Sequence, residues 1–175
     1  MQHPTPIGQP AKPATPSVKL RTVGDWCDVA LIDVESVPWI EFGSELPKIG
    51  KDGQPRTQDR ITALVTQAGS AVVSDNGDDT PVAIGDVVSI YASGAKRWDF
   101  IQAQKLNGQL LRGDVMRVKY DHDEPPATKG YNDKKVWTFQ IRHAKPDEAV
   151  QSARCEEIAR GGATPINHAD DMEPF

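Results

Sequence analysis

The sequence predicts an all-β domain: a five-stranded Greek-key barrel with a short helix between its third and fourth strands. Three observations predict it. Segments that alternate apolar and polar residues recur between turns bearing Gly and Pro. One stretch without clean alternation, Ala95–Gln109, interrupts them after the third strand. The length of 175 residues, with 38% hydrophobic content, leaves room for one core plus tails and hardly for two.

The elements follow in order. The first seventeen residues hold five prolines and almost nothing to bury, so 1–17 reads as a disordered or polyproline-like arm. Strand signals begin at Val18. Trp26–Val37 alternates Val29, Leu31 and Val34 with polar neighbours and carries a bulge or shift near Ile32. Residues 38–42 lead into a long polar loop. Arg60–Gln67 turns Ile61, Ala63 and Val65 to one side, and Gly69–Val73 extends it toward a hairpin-like tip at Asp75–Asp79. Two Gly-Asp pairs, at 85–86 and 113–114, each open a strand, Val87–Tyr91 and Val115–Tyr120. Asn107-Gly108 ends the helix between them. Asp121–Asp133 reads as an exposed loop, and Lys134–His143 as a strand with Trp137, Phe139 and Ile141 on one face. Five strands with a helix in that position suit an OB-fold-like barrel over 18–146. The pattern also fits an SH3-like barrel or a small sandwich. Beyond it, 147–160 is a helical stretch with Val150, Ala153 and Ile158 as a thin apolar stripe, and 161–175 is a flexible acidic tail.

Composition bounds the function. No apolar run approaches the ~20 residues that span a bilayer, and the N-terminus lacks the apolar centre of a signal peptide. Two cysteines make no CxxC pair, so a cytoplasmic protein with reduced thiols is expected, with Cys27 a buried filler and Cys155 an exposed helix thiol. The net charge of −5 is unevenly spread: residues 89–145 hold 11 Lys and Arg against 6 Asp and Glu, while the segments on either side are acidic. A local basic block is the footprint expected for a nucleic acid, whatever the whole-chain charge. No Walker loop, dinucleotide fingerprint or nucleophile elbow occurs, so no enzyme, cofactor or metal is expected. Asp121-His122-Asp123-Glu124 reads as a solvated acidic loop.

The chain ends on Asp170-Asp171-Met172-Glu173-Pro174-Phe175. An aromatic ring, a free carboxylate and neighbouring acids make a small anchor for an apolar pocket with a basic rim. This ending resembles the acidic Pro-Phe tip of bacterial and phage single-stranded DNA-binding proteins, in which a tip after a flexible linker and an OB-fold recruits replication and repair proteins. The Pro-rich start and the interrupted acids suit a divergent phage-type member. The resemblance implies that Asp170, Asp171, Glu173, Pro174 and Phe175 bind replication or recombination partners. It leaves a homo-oligomer possible.

A single-strand binder needs cations interleaved with flat rings. In the basic block, the candidates are Trp98, Tyr120 and Tyr131 with Lys96, Arg97, Arg112, Arg117, Lys119, Lys134 and Lys135. Trp39 and Phe42, with Arg56 and Arg60, form a second group beside the first long loop. Phe100, Phe139 and Tyr91 suit the core better. Sequence-nonspecific binding of single-stranded DNA is the function expected. The alternative is a structural or adaptor barrel of a phage particle, which gives no reason for the Pro-Phe end or the basic block.

Overall fold

The computed structural model describes residues 15–40, 43–75 and 77–161. Phe42 and the acidic tip lie outside them. The elements run β1 (Val18–Lys19), β2 (Trp26–Pro38), β3 (Thr57–Gln67), β4 (Val72–Asp75), β5 (Asp78–Pro81), β6 (Val87–Ala92), α1 (Gly94–Asn107), β7 (Val115–Glu124), β8 (Lys134–Arg142) and α2 (Ala149–Gly161). The fold is mostly β, in two antiparallel sheets: five strands in the order β6-β3-β2-β7-β8 and three in the order β1-β4-β5. α1 packs on β8 at one edge of the larger sheet and on β6 at the other, so it spans the two edge strands. Phe100 of α1 is fully buried and meets Phe139 of β8 edge-on, with centroids 5.5 Å apart. No helix among the described residues is long and apolar enough to cross a membrane.

Alternation builds the main core. Val29 and Leu31, Ile61, Ala63 and Val65, Val88 and Ile90, and Met116 and Val118 point inward from four neighbouring strands. In β2 the register slips between Leu31 and Asp33, with Ile32 as the extra residue. Ala30 and Ile32 therefore gather with Leu64 and Val87 in a second cluster, which α2 covers with Cys155 and Ile158. Two expectations are corrected here. Cys155 is completely buried, and burial pushes its thiol up to about 11. Val150 is 82% exposed, because the apolar face of α2 is set by the cluster beneath it and not by the stripe Val150–Ala153–Ile158.

Three strands open on the same turn. In Thr22–Asp25, Ala83–Asp86 and Leu111–Asp114 the Asp N–H donates to the carbonyl three residues back, at 2.9, 3.1 and 3.0 Å. Its carboxylate accepts the N–H of that same residue, at 2.8, 2.9 and 2.9 Å. The preceding glycine sits at a φ of 96°, 93° or 91°, a region costly for any residue with a Cβ. Each glycine N–H and Asp carbonyl then exchange hydrogen bonds with one residue of the adjoining strand: Tyr120, Val65 and Leu31 respectively. The Gly-Asp pairs at 85 and 113 are legible as strand starts. The copy at Gly24-Asp25 is the one that reading passes over.

Two boundaries move. The N-terminal segment docks earlier than 18: the Ser89 N–H donates to the Pro16 carbonyl at 2.8 Å, and Ser17 bridges to Ser89 in parallel. That covers the outer edge of β6. The segment Asp121–Glu124, expected in a loop, continues β7 past a register shift and pairs with Lys134, Lys135 and Val136. Lys134 reaches Glu124 at 3.7 Å, so opposite charges across the ladder offset a weak strand sequence.

Candidate nucleic-acid interface

Backbone hydrogen bonds hold the described part of the loop between β2 and β3. The Trp39 N–H donates to the Arg56 carbonyl (2.9 Å), Arg56 N–H to the Lys48 carbonyl (2.7 Å), and Lys48 N–H to the Trp39 carbonyl (2.7 Å). These three bonds close a ring, which holds an aromatic and two cations side by side. A turn with Gly53 N–H donating to the Gly50 carbonyl (3.0 Å) folds the tip back. Gly50 matters for a separate reason. A Cβ there would lie 2.4 Å from the Arg56 Nε, so the guanidinium rests directly on glycine backbone.

This loop and the start of α1 enclose a cleft of about 570 Å³ lined by Trp39, Lys48, Lys51, Arg56, Gly94 and Arg97, among others. Lys48 Nζ stands 4.1 Å from the centroid of the Trp39 ring. Among the described residues no carboxylate pairs with Lys48, Lys51 or Arg56, whereas Arg97 is held by Asp59 at 3.2 Å and by Thr57 Oγ1 at 3.1 Å. The N-terminus of α1 adds to the positive field. Ser93 makes no side-chain cap there, and no acid occupies the first turn.

A second cleft, of about 190 Å³, lies where β1, β6, α1 and β8 converge. It presents Lys19, Arg21, Tyr91, Lys96, Lys135 and Trp137. Lys96 Nζ sits 3.3 Å from the centroid of Trp137. Burial, reinforced by the charge of Lys19, pulls the Lys96 amine down to about 7. The first turn of α1 thus sends Lys96 into one cleft and Arg97 into the other.

The sequence candidates divide accordingly. Trp39, Arg56 and Arg97 come together, and Lys96 and Lys135 share the second cleft. Trp98 is 61% exposed on α1 with Lys105 at 5.9 Å, and Tyr131 is 74% exposed in the β7–β8 loop. Tyr120 is corrected: its ring is buried in the core and its hydroxyl donates to Asp123, so it offers no face to a base. Four further cations are committed to acids. Arg117 grips Asp28 through two bonds (2.7 and 2.9 Å) and covers the Trp26 ring. Arg112 donates to the Ile32 carbonyl and to Glu156, tying α2 to β2. Arg60 meets Glu35 at 2.6 Å, and Lys119 lies 3.8 Å from Asp121. The basic block is therefore less open than its composition implies.

Lys48, Lys51, Lys19 and Arg21 are missed by sequence reasoning that takes its cations from 89–145 and, in the first long loop, from Arg56 and Arg60 alone. The available signal was the run Lys48-Ile49-Gly50-Lys51 ahead of Arg56, cations spaced by glycine at the foot of a tryptophan. No family model, curated protein or solved structure matches the chain.

Proposed function

We propose that the domain binds single-stranded DNA without sequence preference, as a divergent, phage-type member of the single-stranded DNA-binding proteins acting in replication and recombination. The observation that carries this reading is the cleft of the β2–β3 loop, where a backbone-locked tryptophan stands beside Lys48, Lys51 and Arg56, which have no acidic partner among the described residues. A single strand exposes both charged phosphates and flat base faces, and this cleft meets both. A base stacks on Trp39 while Lys48 turns to the adjoining phosphate.

The topology supports it. Numbering the five long strands by chain order gives 3-2-1-4-5, with a helix between the third and fourth, which is the arrangement expected of an OB-fold. Such barrels bind oligonucleotides on strands 2–3 and with the loops joining strands 1–2 and 4–5. Here the first loop carries Trp39, Lys48, Lys51 and Arg56, and the second carries Lys129 and Tyr131. The acidic tip, Asp170 to Phe175, completes the reading as a recruiting arm for partner proteins.

The test is a fluorescence titration of the full chain with oligo-dT at low and raised salt, beside duplex DNA. Stacking quenches indole, and three or four neutralised phosphates give log K a slope of about −2 to −3 against log salt. Trp39→Phe is expected to remove much of the quenching. No salt-sensitive response to oligo-dT would overturn the proposal and favour a structural or adaptor barrel.

A further inference from the structure

The second cleft contains an unusual group: a lysine amine packed on an aromatic ring, among other cations, without a counter-ion among the described residues. The groups facing Lys96 are Lys19 from β1, Arg21 just beyond it, Cys27 from β2, Tyr91 from β6, and Lys135 and Trp137 from β8. Arg21 is committed to Asp79 through two bonds (3.0 and 2.9 Å). Among the described residues no carboxylate pairs with Lys19, Lys96 or Lys135. A structural lysine in this position would be expected to carry an acid or to be replaced by an apolar residue. Three amines converging on one small cleft instead form a receptor for an anion with several oxygens. Tyr91 and Trp137 add ring surface beside it.

We propose that this cleft is a phosphate subsite, in which Lys19, Lys96 and Lys135 hold one phosphodiester of the strand whose neighbouring nucleotides occupy the β2–β3 loop cleft. The first turn of α1 supplies the continuity, because Lys96 and Arg97 are consecutive and line the two clefts. This inference rests on the proposed function and adds a consequence that the function alone does not have. In the free protein the Lys96 amine is half protonated near pH 7. A phosphodiester, charged at every pH of interest, favours the ammonium form and raises its pKa. Binding therefore takes up a proton, and affinity falls as pH rises through 7. Between pH 6 and 8 the dissociation constant is expected to rise about tenfold.

The experiment measures oligo-dT affinity of the full chain at fixed salt from pH 6 to 8, for wild type, Lys96→Met and Lys51→Ala. Lys96→Met is expected to bind at least as weakly as wild type at pH 8 and to show no such slope. Lys51→Ala weakens binding at every pH but keeps the slope, since it leaves Lys96 in place. Circular dichroism confirms that each variant is folded. A slope that survives in Lys96→Met, or a wild type that binds without one, overturns the subsite while leaving the proposed function standing. If oligo-dT does not bind at any pH, the proposed function falls. Inorganic phosphate at pH 7 then separates the sources: a shifted Lys96 amine resonance keeps a site for free phosphate, and an unmoved one removes the site as well.

Discussion

Gly113 and Gly24 occupy the same place in two copies of one turn, at φ 91° and 96°, and differ only in what surrounds them. A Cβ on Gly24 would meet nothing within 4 Å. A Cβ on Gly113 would lie 2.6 Å from Ser152 Oγ and 3.1 Å from Ser152 Cα, where the first turns of α2 press on the strand start. Gly24→Ala should therefore cost backbone strain alone, about 1–2 kcal/mol. Gly113→Ala should cost the same strain plus the loosening of α2, since Ser152 Cα is main chain and cannot turn aside. Lifting α2 uncovers Ile158 and Cys155, and burial of an Ile-sized side chain contributes ~1.5–3 kcal/mol. The total is about 3–5 kcal/mol. For a chain of this size the melting temperature should fall by roughly 3–6 °C for Gly24→Ala and roughly 10–15 °C for Gly113→Ala. Scanning calorimetry of both variants checks this. Equal losses would refute the claim that α2 is docked through a glycine contact, and with it the assignment of residues 149–161 to the folded domain.

Four further outcomes are expected. Arg56→Ala should lower the salt slope of oligo-dT binding by about 0.7, the value for one lost phosphate contact; Gly50→Ala should weaken binding with little change in melting temperature, because the new Cβ displaces only the flexible guanidinium. Lys96 has a folded-state pKa near 7, below its unfolded value, so the unfolded chain binds more protons between pH 7 and about 10.4. Wild-type stability should rise with pH across that window, by up to a few kcal/mol, and Lys96→Met should be flatter and more stable at pH 7. Glu148 behaves oppositely. Two bonds from Arg142 and the Lys145 N–H hold its carboxyl down at about 2. Its contribution is complete above its usual pKa of 4.5 and is lost as pH falls toward 2, so Glu148→Gln should be less stable than wild type at pH 6 and nearly equal to it at pH 2, by urea titration.

Much of the architecture is local and therefore legible in the residues. Alternation places Ile61, Ala63 and Val65 inside, the doublet Gly-Asp opens β6 and β7, and Asn107-Gly108 ends α1 with Gly108 at φ 84°. The irregularity at Ile32 is visible too, because one extra apolar residue breaks the period of two. Each of these depends on a few consecutive residues obeying backbone geometry. The destination of Ala30, Ile32, Leu64 and Val87 is another matter. On a strand they look like noise against the inward set, and only the return of α2 from far along the chain makes them a core.

Charge shows the same division. Composition alone determines that cations concentrate in 89–145. It does not determine which are free, because Arg117 finds Asp28 and Arg112 finds Glu156 through strand pairing and helix docking, across 89 and 44 residues. Tyr120 reads as polar-flanked and exposed, yet β7 turns it inward beside Met116 and Val118. Conversely, Trp39, Lys48 and Arg56 are scattered along a loop without periodicity, and a ring of backbone hydrogen bonds makes them neighbours. Side-chain type and period decide what a residue favours locally; pairing across space decides whether its charge is spent or left open to a ligand.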